Sequence, residues 1–214
     1  MIIPVDILSL IIVFILVILS ISFHEASHAY ASNWLGDNTA KNAGRLTLNP
    51  LKHIDVLFTI IVPVVLAIFN LPIIGAAKPV PYNKNNLKYG NVGVALVAIA
   101  GPVVNFILSF VFYVIYFILS TRVSWLGSAF YYASISNICL FLFNLIPIPP
   151  LDGSRVLYLV MPDFIRNFFD SVEQKGLSFI FIVFLYIFSS FIGNYVYYCA
   201  LFFIHIFAVL VKLF

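Results

Sequence analysis

The chain has 214 residues, 63% apolar and 9% charged, with 11 Lys and Arg against 8 Asp and Glu for a net charge of +3. Soluble domains carry about 25% charged residues, so this composition excludes a soluble enzyme, a disordered chain and a secreted disulfide scaffold. Lipid is the expected solvent, and at ~20 residues per crossing the length allows roughly five or six spans, with no room expected for an additional soluble domain. The small basic excess is ordinary for membrane-protein loops. No basic run exists, so nucleic acid is not an expected partner. Cys139 and Cys199 sit in apolar stretches and are expected to pack as small side chains.

The elements follow in chain order. The start, MIIPVDILSL, lacks a basic leader region, so the first apolar stretch is expected to be retained. That stretch runs from Ile7 through HEASHAYASNWL, with Asp6 as N-cap and Gly36 as helix stop. The polar segment after it contains the alternation Arg45-Leu46-Thr47-Leu48, which predicts a short strand. Residues 56–69 are apolar but too short for a span, with Pro63 inside, and predict a re-entrant or interfacial segment. AAKPVPYNKNNLKYG is a polar loop. Residues 92–119 and 126–146 are long enough to span; the second ends in a segment broken by Pro147, Pro149 and Pro150. MPDFIRNFFDSVEQKG predicts an interfacial helix with Phe164, Phe168 and Phe169 on one face. Residues 177–192 and 195–210 are two further apolar stretches around Gly193-Asn194. The expected architecture is an all-α polytopic membrane protein: about five transmembrane helices, a re-entrant or short membrane segment, and small strand-like loops. It forms one integral-membrane domain over residues 1–214, with a catalytic core at about 6–160 and an interfacial segment plus C-terminal helices at 161–214.

His24, Glu25 and His28 spell H-E-x-x-H inside a helix that otherwise reads as transmembrane. An ionisable group at membrane depth costs at least ~2.5 kcal/mol, so it persists where it has a task and a partner. Of four His and eight acidic residues in the whole chain, three fall together here. Histidines four apart share one helix face, ~6 Å apart along the axis, and can hold one metal ion. Glu25, ~100° around the helix, is placed to act on a water rather than to bind the metal. This is the spacing of zinc hydrolases in which the Glu is the general base. A tetrahedral site needs a further protein ligand, and Asp152, Asp55, His53, Glu173 and His205 are the candidates. Asp152 is favoured: it follows the proline-broken segment, and such backbone at membrane depth is tolerated where it lines a cavity or is buried in protein. His53 and Asp55 read as solvated residues or turn caps, Glu173 as solvated, and His205 as a structural residue.

The motifs HEASHAY, GRLTLNPLKHID, AKPVPYN, Gly101-Pro102-Val103-Val104-Asn105 and NLIPIPPLDGSRVL together resemble the site-2 protease family of intramembrane zinc metalloproteases. The resemblance covers residues 22–157 in the same order. It implies His24, His28 and Asp152 as ligands of one Zn2+ and Glu25 as the catalytic acid/base. It also implies that Asn144 is catalytic, binding substrate or stabilising the oxyanion, and that the Gly-Pro helix lies near the site, with Asn105 assigned to substrate binding. The implied substrate is a transmembrane protein or peptide within the lipid bilayer. A membrane transporter or metal-binding protein using the same His and Asp is the alternative, although it has no need of Glu25 beside His24.

Sharing a metal requires His24 and Asp152 to lie at one depth. His24 is ~27 Å along its helix from Asp6, near the far side of a ~30 Å core. A re-entrant 56–69 brings Asp152 to that same side, whereas a full crossing does not. With the re-entrant arrangement ten Lys and Arg lie on the His24 side and Arg122 alone lies opposite; a full crossing splits them seven to four. The positive-inside rule favours the first and places the site toward the cytoplasmic face of the cell membrane.

Overall fold

The structure is a computed structural model that describes residues 6–69, 78–174, 183–184 and 186–213. It is all-helical, and no strand occurs among the described residues. Four helices are long and apolar enough to cross a membrane: α1 (Ile7–Trp34), α4 (Asn91–Leu119), α5 (Ser124–Asn144) and α8 (Ser189–Lys212). Short helices join them: α2 (Thr39–Asn42), α3 (Val62–Ile68, continuing a π-helical turn Val56–Ile61), α6 (Asp152–Val156) and α7 (Asp163–Gln174). Much of the further stretch expected at 177–192 lies outside the described residues.

The spanning helices are built with their apolar side chains outward. On α1 the buried face is Ser9, Ser20, Ser22, His24, Ala26, His28, Ala29 and Ser32, while Ile7, Leu10, Ile11, Phe14 and Ile15 are exposed. Lipid is as apolar as leucine, so helices associate there through small residues and interhelical hydrogen bonds. Asp6 starts α1 as expected, its carboxylate accepting from the Ser9 N–H at 2.7 Å. At its far end Gly36 takes φ +104°, a left-handed conformation that favours glycine.

Interhelical bonds fix the directions. Ser9 Oγ donates to the Trp125 carbonyl (2.9 Å), and Asn137 Nδ2 donates to Ser20 Oγ (2.9 Å), so α1 and α5 run parallel in matching register. His28 meets Val97 and His24 meets Asn105, so α4 runs antiparallel to α1. Ser109 and Ser134 exchange hydroxyl-to-carbonyl bonds of 2.8 and 2.7 Å and join α4 to α5. Helix α8 packs its Ala200, Ile204 and Phe207 on Tyr113 and Ile138. Phe110 and Phe207 meet there with centroids 5.1 Å apart, and Phe106 with Phe203 at 5.8 Å.

The chain leaves α1 and enters α4 at the same end of this bundle: the Lys88 N–H donates to the Leu35 carbonyl at 2.8 Å. The strand expected at Arg45–Leu48 does not form. The Arg45 guanidinium donates to the Lys78 carbonyl and the Lys78 N–H donates to the His53 carbonyl at 3.0 Å, so one side-chain and one backbone bond stand in place of a ladder. The face expected of the interfacial helix also changes. Phe164 and Phe168 of α7 are 73% and 57% exposed, but Phe169, one residue around the helix, turns inward against the cluster containing Leu35 and Tyr158. Asp170 anchors α7 by accepting from Tyr158 Oη (2.9 Å), Arg155 (3.0 Å) and Lys84.

Asp37, fully buried at the end of α1, closes this polar end. Its carboxylate accepts from the Thr39 hydroxyl (2.6 Å), the Asn83 N–H (2.7 Å), the Thr39 N–H and the Asn86 amide (both 3.1 Å). Burial alone would raise its pKa, but these donors, the Thr39 hydroxyl foremost, hold it below the ordinary value. A carboxyl whose folded pKa is depressed adds stability above its unfolded pKa of about 3.9, and that stability is lost as pH falls through the lower folded value. Asp37→Ala should cost about 2–3 kcal/mol at neutral pH. In thermal unfolding in detergent, the gap between wild type and Asp37→Ala should narrow below about pH 4; a gap that is constant with pH would contradict this account.

Candidate metal centre

The last turns of α1 carry His24 and His28 on the face turned to α4 and α6. Asp152 arrives from the other direction. After Asn144 the chain turns through Leu145–Leu151, with Pro149-Pro150 cis, and Asp152 opens α6. Gly153 makes this turn possible: a Cβ there would stand 2.2 Å from the Leu145 carbonyl oxygen. The turn is thereby folded under the end of α5.

Asp152 Oδ2 lies 3.2 Å from His24 Nε2 and 3.4 Å from His28 Nε2, and the two Nε2 atoms are 3.1 Å apart. Candidate ligand atoms of these residues all fall within 4.8 Å of one another. The electrostatics of the trio point to a cation. The His28 Nδ1–H donates to the Val97 carbonyl at 2.7 Å, so in the neutral ring Nε2 presents a lone pair. Asp152 Oδ2 is buried with no aligned hydrogen bond. Lone pairs that face one another in a buried site are costly unless a positive charge sits among them. Two imidazole nitrogens and a carboxylate oxygen are a zinc donor set that leaves one position open. The residues present therefore fit a zinc ion.

Helix α4 supplies the back wall. Gly101 faces both imidazoles, and a Cβ on it would lie 2.5 Å from His28 Nε2 and 2.7 Å from His24 Nε2. Pro102 has no N–H to give the Ala98 carbonyl, which loosens the turn that carries Val97. Asn105, one turn further along, is buried with Nδ2 3.1 Å from His24 Nδ1. Glu25 stands outside the trio. It is half-buried, and its Oε2 accepts from the Val80 N–H at 3.1 Å, which ties the proline-containing loop to the catalytic motif. Asn144, half-buried at the end of α5, donates to the Leu140 carbonyl of its own helix at 3.0 Å.

Among the described residues, His53, Asp55 and His205 are not part of this trio. His53 is not solvated: it is buried, with Nε2 2.8 Å from the Thr47 carbonyl oxygen. Asp55 and Thr59 bond to each other's segment, the Asp55 N–H donating to Thr59 Oγ1 at 3.1 Å. His205 is exposed on α8 beside a cavity lined by Tyr113, Tyr116 and Tyr131. The Glu173 side chain lies outside the described residues. Sequence reasoning did not single out the Val97 carbonyl or the Val80 N–H, because backbone groups leave no trace in residue identity. The Gly101-Pro102 pair was the available signal for the first.

Gly101→Ala should displace the imidazoles, because the new methyl meets ring atoms on a neighbouring helix. The purified variant should hold less than about a tenth of the wild-type zinc after dialysis, a loss of the order seen when a site's supporting groups are removed. Full zinc occupancy in Gly101→Ala would show that the two helices separate without cost.

Comparison with known proteins agrees with the geometry. Residues 120–188 match Peptidase family M50, a segment that includes Asp152 but not the histidines. YwhC of Bacillus subtilis (strain 168), named as a candidate zinc metalloprotease, is 40% identical over 190 residues, covering 85% of this chain and 82% of that protein. Rip2 of Mycolicibacterium smegmatis, also named as a candidate zinc metalloprotease, is 30% identical over 153 residues, covering 68% of this chain and 57% of its own length. No solved structure matches the chain. The transporter alternative is set aside on this evidence: the chain belongs to peptidase family M50, the site-2 protease family, and is an integral-membrane zinc metalloprotease.

Proposed function

We propose that the protein hydrolyses peptide bonds in or near transmembrane segments of membrane proteins, at a site toward the cytoplasmic side of the cell membrane. One observation carries this reading: the His24–His28–Asp152 trio sits between helices long and apolar enough to span a bilayer. A substrate reaching it must come from the membrane or its edge. A helical substrate hides its carbonyls in its own hydrogen bonds, so it has to unwind before attack. The proposed catalytic core is the bundle of residues 6–160 within a single domain over 1–214.

In this reading His24, His28 and Asp152 hold the zinc. The ion, when bound, supplies Lewis acidity toward the scissile carbonyl and toward water. Glu25 moves the protons. Its Oε2 is held by the Val80 N–H, so Oε1 takes the proton of the attacking water and then delivers it to the leaving nitrogen. Asn144, at the mouth formed by the end of α5, is assigned to the oxyanion or to the substrate backbone; to serve there it exchanges its bond to Leu140 for one to substrate.

Topology supports the cytoplasmic placement. Since α1 ends where α4 begins, the chain leaves the bundle and re-enters it at one end, which supports a return to the same membrane face. Val56–Ile68 is too short to cross at ~1.5 Å per residue, which favours the re-entrant arrangement. In that arrangement the basic residues other than Arg122 are expected at the end of the bundle that carries the metal centre.

Two measurements test the proposal. Glu25→Gln should keep its zinc and lose cleavage of membrane substrates by at least ~100-fold, trapping them uncleaved; cleavage retained by this variant would refute the general-base role. In a background lacking Cys139 and Cys199, cysteine placed at Arg122 should be labelled from outside intact cells and cysteine at Lys88 only after permeabilisation. The reverse pattern would overturn the orientation.

A further inference from the structure

We infer that Asn105 is a positioning residue for the metal centre: its amide decides which nitrogen of His24 carries the proton. This replaces the expectation that it binds substrate, and it rests on the proposed role of His24 as a ligand.

The two histidines are held differently. His28 Nδ1 faces the Val97 carbonyl, which can only accept, so its proton stays on Nδ1 and Nε2 stays available. His24 Nδ1 faces a primary amide, which can donate or accept. In the structure Asn105 Nδ2 stands 3.1 Å from Nδ1, and Asn105 Oδ1 is buried without a partner. With Nδ2 donating, the His24 proton resides on Nε2 and points at the His28 Nε2 lone pair, 3.1 Å away. That arrangement suits the trio without a cation and blocks the ligand position. A half-turn of the amide exchanges its oxygen and nitrogen without changing its outline. Oδ1 then accepts from Nδ1–H, and the Nε2 lone pair faces the metal position. Loading therefore requires one proton to leave Nε2 while Nδ1 gains its hydrogen from solvent or a neighbouring donor, with no net change in a neutral ring.

Burial argues against substrate binding by this side chain. Asn105 is 1% exposed and stands on α4 one turn beyond Gly101, behind the His24 ring. Partners that orient ligand imidazoles set tautomer and ring angle, and their loss commonly costs about 10–100-fold in metal affinity.

The experiment is zinc titration of the full-length protein in detergent against a competing chromophoric chelator, with thermal unfolding of the metal-free forms as the folding control. Asn105→Leu keeps the volume and removes both polar atoms; it should bind zinc about 10–100-fold more weakly. Asn105→Asp offers only acceptors toward Nδ1 and should bind zinc at least as tightly as wild type. Affinity of Asn105→Leu within twofold of wild type would overturn the inference, as would Asn105→Asp binding more weakly than wild type. If the leucine variant does not survive extraction, the aspartate variant decides alone. At saturating zinc the leucine variant should show an unchanged KM; a raised KM with wild-type zinc affinity would return Asn105 to substrate binding. His24→Ala serves as the separate check: wild-type zinc affinity in that variant would defeat the ligand assignment itself rather than the role of Asn105.

Discussion

Three electron-rich atoms must meet inside the helix bundle. His24 Nε2, His28 Nε2 and Asp152 Oδ2 converge within 3.4 Å of one another, and a low-dielectric interior makes such a meeting costly without a cation. Much of the bundle can be traced to this convergence. It needs α4 close enough to α1 for a helix backbone to touch the imidazoles, which Gly101 permits. It needs the chain after α5 to fold back beneath its own end, which the prolines enforce and Gly153 permits. It needs α1 and α5 to run parallel, so that the histidines and Asp152 emerge at the same end.

The same constraint accounts for the inverted packing of the spanning helices. Serine, alanine, glycine and asparagine face inward because close approach and hydrogen bonds, rather than water exclusion, hold helices together in lipid. Ser109 with Ser134, and Ser20 with Asn137, are the cross-links. The polar end is joined by a different chemistry. Asp37 gathers the loop around Asn83 and Asn86, Asp170 gathers α6 and α7, and Glu25 gathers the loop at Val80. Two of these carboxylates only clamp loops. Glu25, beside the metal trio, combines a clamp with the proposed proton transfer, so the loop that orients it can also govern its reach.

Sequence reading recovered α1 with its Asp6 cap, the two central spans, and the meeting of Asp152 with the two histidines, because each rests on a local signal: apolar length, a capping carboxylate, or a charge where lipid disfavours one. It misjudged Arg45–Leu48, where alternation suggested a strand but Arg45 and His53 clasp Lys78 instead. It also grouped Phe169 with Phe164 and Phe168, because composition alone could not show that Leu35 and Tyr158 receive it. His53 looked like a loop residue and is buried, since burial of a polar loop depends on neighbours far along the chain.

The sequence by itself determined the solvent, the H-E-x-x-H helix and the favoured partner of that helix. In a chain with 9% charged residues, a few misplaced charges are conspicuous and lipid assigns them a cost. Only the tertiary structure decided how the two histidines are held. His28 is fixed by a backbone carbonyl, and His24 meets an amide that can turn either way. Those contacts depend on the depth at which α4 crosses α1, a quantity set by the packing of small residues on both helices.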